Sequence, residues 1–149
     1  LGETVIANNF VNEAFNGVIQ RKLALLDNQV GKLESHLKDV AQAAFVEDWV
    51  LRSMAERALQ VAAEIMIDVA ERIVAIRDAG PVASAAEAIE RLVHLGVLKS
   101  PEPYVRIVRF RNLIVRQYEE IDPEMLFDLA RNHLDDFRRF RKEIDEAAR

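Results

Sequence analysis

Between Tyr104 and Tyr118 the chain places Arg106, Arg109, Arg111 and Arg116 with no acidic residue among them. Guanidinium groups grip a phosphodiester through paired donors and stabilise charge on its non-bridging oxygens. They stay protonated at usable pH, so they do not accept a proton. Cleavage of RNA through its own 2′-hydroxyl needs a base near neutrality, ordinarily histidine, and none stands in this stretch. A local charge of +4 in a chain of net charge −5 reads as an anion site. Any one of the arginines reads equally well as part of a solvated face paired with acids elsewhere.

These residues need a helix to position them. Ser100-Pro101 is an N-terminal signal, with a serine oxygen for an orphan amide and a proline where its missing donor costs nothing. Asp122-Pro123-Glu124 repeats it for the next element. The spacing predicts one helix from Pro101 to Glu120, about five turns long. Ile107, Phe110, Ile114 and Val115 are expected to anchor it to a core. Arg111 and Tyr118, seven apart, point nearly the same way.

The same reading gives an all-α chain, an antiparallel bundle of about five helices with no strand-like alternation or repeat. Residues 1–17 read as an N-terminal extension, either loosely ordered or packed on a partner subunit, and 18–149 as the helical domain. From Val18 to Val40 apolar residues keep a three-four spacing. Ala43 to Glu47 is expected to be a break. A second long helix, Glu47 to Asp78, carries Trp49, Val50, Met54, Leu59, Met66 and Ile73 on a face broad enough for the centre of a bundle or a dimer interface. Gly80-Pro81 stops it. Ser84-x-x-Glu87 suits a capping box for a helix from Ala85 to Leu95, closed by Gly96. A final amphipathic helix is expected from Pro123 to about Ile144.

Other chemistry is thin. His36, His94 and His133 are far apart in sequence and lack metal-ligand spacing, so they read as surface or packing residues. Glu64, Asp68 and Glu71 share one face and could bind a cation or hold arginines in place. No glycine-rich phosphate loop or nucleophile motif is present. Cysteine is absent, which excludes disulfides and thiolate metal sites. With 149 residues the chain suits one domain. Without a leader or a long apolar run, a soluble cytoplasmic protein with no membrane contact is the expectation. A pI near 5.3 disfavours a general nucleic-acid coat but permits a local basic cleft.

From about Gln20 to Arg141 the chain resembles HepT-like proteins of the HEPN superfamily, small helical partners of minimal nucleotidyltransferases (MNT) in toxin-antitoxin pairs. The resemblance is carried by RKLALLDNQVGKLESHL, by WVLRSMAERALQVAAEIMIDVAERIV and above all by RFRNLIVRQYEEIDPEMLFDLARNHLDDFRRF. The family hallmark is an arginine, four to six residues, a histidine, one residue and a tyrosine. It implies a metal-independent ribonuclease site in a homodimer cleft, and a tyrosine that the nucleotidyltransferase adenylylates with ATP and magnesium to silence the toxin. The HepT-like protein itself needs no cofactor.

Residue by residue, Arg111 falls on the family arginine, Asn112 on the polar residue after it and Tyr118 on the tyrosine. Arg106 and Arg109 are candidate RNA contacts. Arg116 stands where the histidine is expected, which implies an intact fold, RNA affinity and impaired cleavage. Two other readings follow from the same residues: a catalytically inactive module binding RNA or nucleotide, and a structural subunit of a nucleotidyltransferase. Tyr118 also reads as an ordinary bundle tyrosine.

Overall fold

The computed structural model describes residues 15–116 and 121–148. The expected extension over residues 1–17 lies outside them up to residue 14. A π-helical turn, Phe15–Ile19, leads directly into α1, Gln20–Leu37. Then follow α2 (Gln42–Glu47), α3 (Trp49–Ile76), α4 (Ala85–His94), α5 (Tyr104–Arg116), α6 (Pro123–Asn132) and α7 (Asp135–Ala147). The fold is the all-α bundle that the periodicity predicts, but the described residues contain seven α-helices rather than about five.

The extra elements have local causes. Residues 42–47, expected to be a break, form α2, which drives Phe45 fully into the core against Phe127, their rings 5.2 Å apart. The expected last helix is two helices, broken at His133 and Leu134. Its apolar phase runs on through Leu126, Ala130, Leu134 and Phe137, all buried, and so conceals the break. Asn132 turns its amide to Asp128 at 2.8 Å, and Asp135 and Asp136 occupy the first turn of α7, where acids favour a new start.

Helix α3 is the axis of the bundle and packs on α1, α2, α4, α5, α6 and α7. Asp48 caps it, accepting the Leu51 amide at 3.1 Å. Its small residues Ala55, Ala62, Ala63 and Ala70 are buried and let neighbours approach closely. Trp49 and Val50, in the first turn of α3, are not part of the buried face among the described residues, being 65 % exposed each. The helix ends at Ile76, five residues before Pro81, with Asp78 at positive φ. Ser84 accepts the Glu87 amide at 3.1 Å and caps α4, while Glu87 reaches back to the amide of Ala83.

Helix α5 starts at Tyr104, not at Pro101. Pro103 restricts Glu102 away from helical dihedrals, so the Ser100-Pro101 signal is overridden. The late start seats Tyr104 fully inside the core, its ring 5.5 Å from Phe140. Its hydroxyl donates to Glu143 of α7, and Glu143 also accepts the Lys99 amide at 3.1 Å. Burial, reinforced by this hydrogen bond to a carboxylate, pushes the Tyr104 phenol well above its ordinary value of 10.0.

Replacing Glu143 by alanine strips both donors of a buried acceptor and is expected to cost about 3 kcal/mol, read as a lower urea midpoint. Because the folded state holds Tyr104 protonated, its contribution is complete below pH 10 and is lost as pH rises further. Tyr104→Phe should therefore flatten the alkaline fall in stability; an unchanged slope above about pH 10 would contradict the linkage.

Candidate functional site

The two halves of α5 have different environments. Tyr104, Val105, Ile107 and Val108 are buried, whereas from Arg109 onward every residue is half-buried or exposed. Of the expected anchors, Ile107 is buried, Phe110 and Ile114 are half-buried, and Val115 is 59 % exposed. The helix is fixed at its start and presents its last two turns.

Arg111 leaves that surface toward α3. Its Nη1 donates to both carboxylate oxygens of Glu64, each at 3.4 Å. This is longer than the usual 2.7–2.9 Å of charge-assisted bonds, so the pair is loosely held. Arg111 Nε is buried and has no partner among the described residues. Of the two roles open to Glu64, the structure gives it that of an arginine partner. Asp68 pairs instead with Lys22 at 2.5 Å and with Arg72 at 3.3 Å. Burial tends to raise its carboxyl, but these two cations outweigh it and hold the group below its ordinary value.

Around this pair lies an open groove of about 480 Å³, lined by Arg57, Val61, Glu64, Asp68, Glu71 and Arg111. A ligand phosphate entering it meets a guanidinium already neutralised by Glu64 and must exchange with that carboxylate. Among the described residues no group of three or more histidines and carboxylates is placed to hold a metal ion.

The other predicted residues are spread around the helix. Arg116 is exposed in the last described turn and, five residues after Arg111, points about 140° away from it at 100° per residue. Asn112 is half-buried, and Arg109 is exposed with a 3.8 Å pair to Glu102. Arg106 turns the other way, to Asp136 at 3.0 Å and to His133 Nδ1 at 3.4 Å. Tyr118 lies outside the described residues.

His133 is the residue that the sequence reading passes over. Its Nε2 meets Asp128 at 3.2 Å, so both ring nitrogens are engaged. A hydrogen bond from Asn132, opposed by slight burial and assisted by His133, holds the Asp128 carboxyl below its ordinary value. The available signal was local: Asp128 stands four and five residues before Asn132 and His133, and Asp136 three residues after His133, close enough in sequence to meet.

Residues 26–144 match the family of HepT-like ribonucleases, "Ribonuclease HepT-like". The chain belongs to the HepT-like family. The mRNA nuclease HepT of Shewanella oneidensis is 24% identical to this HepT-like chain over 127 residues, 84% of this chain and 94% of that protein. The tri-AMPylated Shewanella oneidensis HEPN toxin, solved in complex with MNT antitoxin, superposes with a TM-score of 0.79 at 23% identity, covering 87% of this chain and 98% of the toxin. A toxin-antitoxin solved with AMP-PNP gives 0.78 at 22% identity, covering 86% and 97%. The fold is thus that of HepT-like structures. Among the described residues no helix is long and apolar enough to cross a membrane.

Glu64→Ala and Arg111→Ala, combined in a double-mutant cycle, should show a coupling of about 0.5–1 kcal/mol that shrinks in high salt, since Glu64 is half exposed. Strictly additive urea midpoints would mean that the pair contributes nothing in solution.

Proposed function

We propose that this HepT-like chain is the toxin component of a toxin-antitoxin pair, a homodimer that binds RNA in the cytoplasm and is silenced by an MNT-type nucleotidyltransferase. The observation that carries this reading is Arg111, held on an exposed helix end beside an open groove, in a chain whose family is that of HepT-like ribonucleases. Arg111 supplies donors to the non-bridging oxygens of a phosphodiester, and Arg106, Arg109 and Asn112 supply further contacts along α5.

Cleavage in such a site forms a bond from the ribose 2′-oxygen to phosphorus and breaks the bond to the 5′-oxygen. The attacking hydroxyl must lose a proton and the leaving oxygen must gain one. Arg111 and Arg116 stabilise the charge of that transition state but neither takes up the first proton. Among the described residues the histidine bonded to α5 is His133, and it meets Arg106, not Arg111. Cleavage is therefore impaired while the attraction for phosphates is kept. That balance also favours the second reading, a catalytically silent RNA-binding module.

Tyr118, two residues beyond Arg116, is the proposed site of adenylylation. The Shewanella oneidensis toxin is tri-AMPylated in its complex with MNT antitoxin. ATP and magnesium belong to the partner enzyme, and the HepT-like chain itself needs no cofactor.

Arg116→His should raise the rate of RNA cleavage by about 10²–10⁴-fold, the usual value of a positioned proton-transfer group, with little change in RNA affinity. Equal, robust cleavage by both proteins would refute the assignment of Arg116. Incubation with the cognate nucleotidyltransferase, ATP and magnesium should add AMP mass to the native chain but not to Tyr118→Phe. An unmodified native chain would remove the tyrosine from the reading.

A further inference from the structure

On the far side of α5 from Arg111 lies a second groove of about 390 Å³, within the size range of small-ligand sites. Its floor is apolar: Phe110, Leu113, Met125 and Leu129. Leu113 is 45 % and Met125 38 % exposed, which is high for residues of their type. The rim carries Arg106 and Arg109 from α5, and His133 closes one side. The break between α6 and α7 places that imidazole there, and contacts to both its nitrogens hold the ring still.

We propose that this groove is a base-binding subsite for single-stranded RNA whose backbone crosses α5 from the Arg111 groove. The inference rests on the reading that α5 binds RNA, and it adds where a base goes. At 100° per residue the exposed surface between the grooves passes through Val115, Asn112, Arg116, Arg109 and Leu113 in that order around the helix. Two guanidinium groups thus stand on the path between the Arg111 groove and the apolar floor, and no acid occurs from Tyr104 to Arg116. The helix is about 10–12 Å across, so one short strand reaches both sides.

Acids do occur at the rim. Asp128 is engaged by Asn132 and His133, Asp136 by Arg106, and Glu102 pairs with Arg109 at 3.8 Å. The last pair is on the surface with Arg109 73 % exposed, a weak contact that a phosphate can replace. A nucleotide brings the flat face of its base to the floor and its phosphate to the rim, the combination that sequence-tolerant single-strand sites use. An apolar helix of a partner protein would use the floor but would leave the arginine path to Arg111 without a role.

The test measures binding of a short single-stranded RNA and of the same strand with one abasic position, scanned along it, by fluorescence anisotropy. Native protein should lose about ten-fold in affinity at one or two abasic positions, as expected for a stacked base. The double variant Leu113→Ser, Met125→Ser, exposed enough to fold normally, should lose most of that discrimination. Arg111→Ala should weaken every strand yet keep it, and Gln42→Ala, exposed on α2, should change nothing. Discrimination unchanged in the double variant, or absent from the native chain, overturns the subsite while RNA binding by Arg111 stands. No RNA binding by native protein overturns both. If the double variant keeps RNA discrimination but no longer binds the nucleotidyltransferase, the groove is a protein-docking surface and the subsite is wrong.

Discussion

A buried phenol hydrogen-bonded to a buried carboxylate sets the position of helix α5 and of the arginines it carries. Tyr104 and Glu143 meet inside the bundle, and Glu143 also accepts the amide of Lys99 just ahead of α5. A carboxylate in a core is costly unless its acceptors are filled, so this arrangement permits very little sliding or rotation of α5 against α7. Arg111 sits two turns along the helix from Tyr104. Its place beside Glu64, and the exposure of the turns beyond it, follow from where the helix is nailed down.

The contrast between the two ends of α5 follows from the same anchor. Its first turns contribute fully buried Tyr104 and Val108, while its last turns carry arginines at the surface. Charged groups remain hydrated there, and their pairs with Glu64 and Glu102 are long and open to exchange. Rigidity at one end and replaceable ion pairs at the other let this surface exchange its partners without rearranging the core.

Much of this was legible in the sequence. The long central helix, the capping box at Ser84 and the basic character of residues 106–116 follow from periodicity, cap chemistry and charge. What was not legible depended on competing local signals or on distant partners. Pro103 overrode the Ser100-Pro101 start, and an apolar phase that continues across His133 concealed the break after Asn132. Trp49 and Val50 match a buried stripe by spacing, but among the described residues nothing buries them, and spacing alone does not show where along α3 its cover stops. The partner of Arg111 lies 47 residues away on another helix, and helical phase narrows the choice to one acidic face without selecting Glu64. Tyr118 remains placed by sequence pattern alone.

The exposure of the last turns of α5 also governs how freely the chain can vary there. Replacing a core residue such as Ile107 or Val108 opens a cavity and disturbs packing, but an exchange at Arg109, Val115 or Arg116 changes stability little, because these side chains lie largely in water. The fold therefore exerts almost no veto over which residue stands at position 116. Residues of different chemistry can be exchanged at that point without passing through an unstable protein, so side-chain chemistry and architecture are separable in this helix.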